Sequence, residues 1–175
     1  MKLEPATAAD VAEIVALTNL AYRGAGAGSS WNTEAGYMQG DRTSEALLLE
    51  EIAARPEACL LLSRPDDASG LLGSVWLEPV GDGVWYLGSL IIDPRLQNAG
   101  AGRQLLAAAE QWALERGART IRMKVVNVRD TLIAWYVRRG YRLTNEVEPF
   151  PYGDPRFGTP RRPDLSFVIL DKSLA

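Results

Sequence analysis

Residues 88–104 read Gly88-Ser-Leu-Ile-Ile-Asp-Pro-Arg-Leu-Gln-Asn-Ala-Gly-Ala-Gly-Arg-Gln104. An apolar strand ends at Ile92 and runs into Asp93-Pro94; a short turn follows, and Gln97 to Arg103 opens a helix. Gly100 and Gly102 let the backbone turn sharply and come close to a ligand. A helix start leaves several N–H groups unpaired at the positive end of the macrodipole, which suits phosphate oxygens. A dinucleotide-binding loop would need a third glycine where Leu105 stands. A P-loop would need Lys-Ser/Thr where Arg103-Gln104 stand. Taken alone, Gly-x-Gly also suits a plain tight helix start, so its neighbours must decide.

The rest of the composition narrows the chemistry. A chain of 175 residues suits one compact domain with a sizeable core. A net charge of −3 gives no pull toward nucleic acid or an anionic membrane. The lone cysteine, Cys59, rules out an intrachain disulfide and fits a cytoplasmic location. With no histidine, the usual Ser-His and Cys-His nucleophile systems are excluded, and no metal site is expected. No apolar run approaches a membrane span, and the N-terminus lacks a signal-peptide core.

Periodicity organises the chain around the opening stretch. Thr7 to Asp10 resembles a capping box, and Val11, Ile14, Val15 and Leu17 predict a first helix over 8–22. Gly24 to Ser30 reads as a loop. Thr43 or Ser44 caps a second helix to about Ala54, before Pro56. Ala58 to Arg64, Leu71 to Glu78 and Val84 to Ile92 read as strands, with a turn at Gly81-Asp82-Gly83. A helix over 100–116 shares Leu105, Ala109 and Trp112 on one face and stops at Gly117. Then come a strand over 120–126, a helix over 131–139, and strands over 141–148 and 165–170. Residues 149–163 read as a Pro/Gly-rich loop with no helix or strand, either functional or packed by its own aromatics.

Two motifs in this order resemble the GNAT superfamily of N-acetyltransferases. One is Leu90-Ile-Ile-Asp-Pro followed by Gln97-x-x-Gly-x-Gly-Arg103; the other is Leu132-Ile-Ala-Trp-Tyr136-Val-Arg-Arg-Gly-Tyr141. The resemblance covers about 84–145 at motif level, and its bacterial subgroup has no assigned acceptor. It implies an α/β fold with a mixed, mostly antiparallel sheet of about seven strands and about four helices, ordered β-α-α-β-β-β-α-β-α-β-β. It implies one acetyltransferase domain over 1–175: acceptor-side helices and loop in 1–57, the sheet and acetyl-CoA-binding core in 58–145, and a long loop with the final strand in 146–175.

The resemblance also implies residue roles. Acetyl-CoA (coenzyme A) is the expected cosubstrate, with no metal. The strands ending at Ile92 and Val126 are expected to splay apart, so that pantetheine pairs with the backbone of Leu90, Ile91 and Ile92. The pyrophosphate is expected on the N–H groups of Asn98, Ala99, Gly100, Ala101, Gly102 and Arg103, with Gln97 opening the cradle. Tyr136 is the expected acid for the departing thiolate. The family often carries an asparagine seven positions before this tyrosine. Here that position is Arg129, with Asn127 nearby; Asn127 either caps the helix or reaches pantetheine, and Arg129 approaches cofactor phosphate. Glu78 is the carboxylate best placed by topology to take the acceptor's proton, unless ordered waters do so. A backbone N–H near Ile92 would hold the oxyanion. Tyr22, Trp31, Tyr37, Phe150, Tyr152 and Phe157 are candidate walls for the acceptor.

The expected reaction is acetyl transfer to a primary amine of a small molecule or peptide by direct attack in a ternary complex. Cys59, in an apolar strand, reads as a core residue rather than an acetyl carrier. The alternatives are a coenzyme A-binding sensor on the same fold and transfer of a longer acyl group. Neither nucleic acid nor membrane is an expected partner, and the chain is either a monomer or a homodimer.

Overall fold

Alternating apolar residues at 120–126 and an apolar run at 84–92 set the middle of the sheet. The computed structural model describes residues 1–24, 33–67 and 69–174, with Gln97, Asn98 and Ala99 described by backbone alone. The strands are β1 (Glu4–Pro5), β2 (Met38–Gln39), β3 (Cys59–Ser63), β4 (Gly73–Gly81), β5 (Val84–Ile92), β6 (Thr120–Val126), β7 (Arg142–Pro149), β8 (Thr159–Pro160) and β9 (Ser166–Ser173). The helices are α1 (Val11–Arg23), α2 (Glu45–Ala54), α3 (Ala101–Leu114) and α4 (Asp130–Val137). Seven strands form the main sheet in the order β1-β3-β4-β5-β6-β9-β7, and β2 pairs with β8 separately. Only β5 and β6 run parallel; every other neighbouring pair is antiparallel.

Each face of the sheet has its own core. Leu105, Leu106, Ala109 and Ala113 of α3 pack with Leu87, Leu90, Ile92, Ile121 and Met123. On the other face, Val11, Ile14 and Leu17 of α1 and Leu48 of α2 meet Leu60, Leu62 and Trp76. Leu105 is wholly buried, so its truncation to alanine costs about 2–5 kcal/mol.

Local chemistry sets the ends of the elements. Thr7 and Asp10 close a capping box over a 3₁₀ turn, Ala8–Asp10, where one continuous helix was expected. Ser44 caps α2 by accepting from the Leu47 N–H at 3.2 Å. Asp82 and Gly83 both have positive φ, the twist that a two-residue hairpin needs between β4 and β5. Tyr141 Oη donates to Glu110 at 2.8 Å, and Lys172 Nζ meets the same carboxylate at 2.6 Å. That cluster ties α3, the end of α4 and β9 together.

The final loop departs from its sequence reading. It holds a 3₁₀ turn at Pro155–Phe157 and the strand β8, which pairs with β2 at Met38–Pro160 and Gln39–Thr159. Neither short strand has an apolar pattern of its own. Their pairing is set by Arg23, whose guanidinium donates to the carbonyls of Gly40 at 2.9 Å and Phe157 at 3.0 Å.

Candidate active site

β5 and β6 stay together only briefly. Their paired residues are Val84–Thr120, Trp85–Ile121 and Tyr86–Arg122; from Leu87 onward β5 has no β6 partner, while β6 stays on β9 to Val126. The parting coincides with a bulge in β5, where Ser89 and Leu90 together face Val75 of β4 and Ser89 has φ 47°. The bulged strand bends away from its parallel neighbour and a gap opens.

The backbone along that gap alternates. Asp93 N–H donates to the Leu72 carbonyl, just before β4, at 3.0 Å, so Ile92 faces the gap by alternation. Ile91 does not: its carbonyl lies against Gly73, where a Cβ would come within 2.4 Å of it. The expected use of Ile91 is thus corrected, because its carbonyl is turned toward β4. Leu90 and Ile92 anchor in the α3 core, whereas Ile91 packs with Ala21 and Tyr22 of α1.

Beyond Ile92, the buried Asp93 accepts from the Arg95 N–H at 2.9 Å and starts a 3₁₀ turn, Pro94–Ala99. The Arg95 guanidinium on that carboxylate holds Asp93 below the usual carboxylate range. Gly100, at φ 73°, then turns the chain into α3. A glycine cap has no side chain to satisfy the first N–H groups of the helix, so those of Ala101, Gly102 and Arg103 remain available. Arg103 is exposed on the first turn. The expectations for the side chains of Gln97, Asn98 and Ala99 lie outside what is described, as does Trp31.

A cavity of about 320 Å³ occupies the gap, lined among others by Leu90, Val125, Arg129, Leu132, Tyr136 and Tyr22. Tyr136 is 6% exposed and packs edge-on to Trp135 and Tyr141, with centroids 5.0 and 5.5 Å away. Burial pushes its phenol up, Tyr22 and Tyr86 add to the rise, and Arg129 and Arg139 oppose it. Such a phenol keeps its proton at neutral pH and can present it as charge develops beside it. Arg129 also lines this cavity and acts on the Tyr136 phenol.

A second cavity, of about 590 Å³, lies between the sheet and α1/α2, lined by Ile14, Leu48, Trp76 and Glu78 among others. The two cavities share Arg42, Glu51, Tyr86, Gly88, Ser89 and Lys124. They meet at the bulge. Glu78 lines the second cavity only; it accepts from Trp76 Nε1 at 3.2 Å and pairs with Arg55 at 3.4 Å.

Three expected site residues are placed elsewhere. Asn127 donates through Nδ2 to the Asp164 carbonyl at 2.9 Å and accepts the Ser166 N–H at 3.0 Å, clamping β6 to the start of β9. Tyr37 packs with Met38, Val126 and Leu165. Tyr152 bridges the Arg162 carbonyl and the Leu165 N–H. None of the three lines either cavity, whereas Tyr22, Phe150 and Phe157 line the first. The sequence reading missed Arg23, Glu34, Arg42, Glu51 and Tyr86. Only Glu51 and Tyr86 left a signal there, Glu51 one turn beyond Leu48 on the inward face of α2, and Tyr86 in the apolar strand.

The acetyltransferase (GNAT) family model matches residues 27–141. The chain belongs to this family. Solved structures share the GNAT fold across nearly the whole chain. PaiA N-acetyltransferase from Thermoplasma acidophilum, in complex with coenzyme A, superposes with a TM-score of 0.67 at 18% identity, covering 98% of both chains. Ard1 from Thermoplasma volcanium gives 0.69 at 15% identity over 99% of this chain and 97% of that one. A GNAT-family acetyltransferase from Staphylococcus aureus Mu50 gives 0.66 at 14% identity over 99% of both. No curated protein matches the sequence. The GNAT family uses acetyl-CoA. Among the described residues no helix is long and apolar enough to cross a membrane, and no group of three or more His, Cys, Asp or Glu is placed to hold a metal.

Proposed function

We propose that this protein moves an acetyl group from acetyl-CoA to a primary amine of a small molecule or peptide, by direct attack in a ternary complex. The observation that carries the reading is the parting of β5 from β6 after Tyr86–Arg122, which leads from the uncapped start of α3 to the buried Tyr136. The whole chain acts as one domain, with the donor in the first cavity and the acceptor entering from the second.

Backbone groups of Leu90 and Ile92 receive the pantetheine arm, and the N–H groups at Gly100–Arg103 receive the pyrophosphate. Arg129, on the first cavity, is the cation placed to approach cofactor phosphate. Acetyl-CoA supplies the acyl group as a thioester. The acceptor enters as an ammonium and loses one proton to become nucleophilic. Its nitrogen forms the C–N bond, the C–S bond breaks, and the leaving sulfur takes the Tyr136 proton. The phenol recovers that proton from the new amide nitrogen. The balance is ammonium plus thioester giving amide, thiol and one proton to solvent. Cys59, half-buried with its thiol pushed up by burial, is unsuited to carry the acetyl group.

The test is calorimetric titration with acetyl-CoA, followed by thiol release with a panel of amines, polyamines, amino acids and peptide N-termini. Binding in the micromolar range and acetyl-CoA consumption that depends on an amine are expected. Absence of binding up to millimolar acetyl-CoA overturns the proposal.

A further inference from the structure

The junction of the two cavities carries three charged side chains, and their partners differ. Lys124 is neutralised by Glu148 at 2.5 Å and sits 5.8 Å from the Tyr86 ring centre. Arg42 has its guanidinium over two rings, 5.7 Å from Tyr22 and 5.5 Å from Phe157. Its one ion pair among the described residues is a long one, Nε to Glu34 at 3.8 Å.

Glu34 divides its charge, since Arg23 also lies 3.8 Å from it. Arg23 is 5% exposed and spends its terminal nitrogens on the Gly40 and Phe157 carbonyls. Two guanidinium groups therefore share one carboxylate, and a positive charge is left over. It rests on Arg42, the more accessible of the two at 30% side-chain exposure. Among the described residues Arg42 makes no side-chain hydrogen bond, so a planar fork of donors is unspent at the junction.

Glu51 is the complement. It is half-buried on the face of α2 that carries Leu48, and among the described residues the Arg156 guanidinium of the final loop acts on it electrostatically without an ion pair forming. It forms none with Arg42 either, although both line both cavities. Two opposite charges thus flank one opening without closing on each other. The cavity beyond them is mixed, with Trp76, Leu48, Leu60 and Ile14 beside polar side chains such as Thr18 and Ser74.

We infer that the acceptor is a free amino acid, its ammonium held at Glu51 and its carboxylate on Arg42. This rests on the acetyl-transfer reading and adds the substrate class to it. A bidentate guanidinium–carboxylate contact fixes orientation as well as charge. The ammonium is thereby presented at the bulge, where the acyl group arrives from the first cavity. Glu51 takes the ammonium proton and returns it to solvent, and the walls of the second cavity receive the side chain. Glu78, tied to Trp76 and Arg55, lines that cavity opposite Tyr86 across the β4–β5 pair.

The experiment compares kcat/KM at saturating acetyl-CoA for L-phenylalanine and L-leucine, their amides, and phenethylamine and isoamylamine. The free acids are expected to exceed the amides and the amines by about tenfold or more, the size of one lost charge-assisted contact. In Arg42→Gln this preference is expected to collapse toward unity. The ratio is taken within one preparation, so partial loss of folded protein cancels. Glu51→Gln is expected to lower kcat/KM for every acceptor about tenfold or more and to move the acidic limb of the pH–rate profile. Amides or amines used as well as the acids, or a preference that survives Arg42→Gln, overturn the inference. An unchanged pH profile in Glu51→Gln removes that residue's part. Calorimetry on the same samples separates the claims: acetyl-CoA bound without acid preference defeats this inference alone, and acetyl-CoA not bound defeats the acetyl-transfer reading with it.

Discussion

The donor and acceptor sides of this protein are built from different materials. The donor side is mostly backbone: an unpaired strand edge after Tyr86 and the first N–H groups of α3 behind Gly100. The acceptor side is mostly side chains from α1, α2, β3, β4 and the segment after β2, among them Thr18, Arg42, Glu51 and Trp76. Backbone geometry depends on short contiguous stretches and survives wide sequence change. A cluster of side chains from five elements does not. On this view one fold keeps a single donor while its acceptors diversify.

The strongest way to break that contrast is at Tyr136, where the donor side relies on a side chain. Tyr136→Phe removes the proton offered to the leaving sulfur, and kcat is expected to fall by about 10²–10⁴-fold. Acetyl-CoA binding, measured by calorimetry, is expected to survive, because the backbone cradle is untouched. An unchanged kcat would take the phenol out of the chemistry and leave the donor side wholly main-chain.

The next largest effect tests the backbone side directly. Gly100 turns the chain at φ 73°, where a side-chain-bearing residue costs about 1–2 kcal/mol. Gly100→Val is expected to weaken acetyl-CoA binding by about tenfold or more by tilting the first turn of α3. Because this residue does not touch the acceptor cavity, the rank order of acceptors should stay the same. A changed rank order would mean that the two sides are mechanically coupled.

The same contrast explains what could be read without a structure. Gln97 to Arg103 was legible because glycine spacing, a preceding strand and Asp93-Pro94 constrain the backbone locally. Tyr136 was legible because Leu132 and Gly140-Tyr141 frame it at helical spacing. The bulge at Ser89 left no sign, since serine is an ordinary strand residue and its positive φ is imposed by the neighbouring strands. Nor did the Arg23–Glu34–Arg42 cluster, whose members come from separate stretches and meet where Arg23 reaches the Gly40 and Phe157 carbonyls. Asn127 was misread for a related reason. It stands two residues off the family's spacing from Tyr136, and its amide is consumed by Asp164 and Ser166.

Tyrosines on both sides give a third test, by pH. Tyr86, at the junction, is pushed up to about 12, chiefly by burial. Burial also raises Tyr37, Tyr136 and Tyr141. Above about pH 10 the unfolded chain releases these protons and the folded protein keeps them. Stability is therefore complete below pH 10 and falls as pH rises, by about 1.4 kcal/mol per unit for each such tyrosine. Tyrosinate absorbance is expected to rise together with the loss of folded signal, not before it. Substantial tyrosinate absorbance at pH 11 in protein that stays folded would show that these rings are wet.

The smallest effect concerns a residue whose two readings differ most. In the sequence Tyr152 stands as a wall of the acceptor site; in the structure it staples the final loop. Its Oη donates to the Arg162 carbonyl at 2.7 Å and accepts the Leu165 N–H at 2.9 Å. Leu165 is buried, so Tyr152→Phe leaves an N–H without a partner, at a cost of about 1–3 kcal/mol. The ring remains and keeps its packing on Phe150, 5.1 Å between centroids, so Phe150 still lines the first cavity. The melting temperature is expected to drop while kcat and both KM values stay within about twofold. The opposite result, an intact melting temperature with a tenfold rise in acceptor KM, would return Tyr152 to the acceptor site.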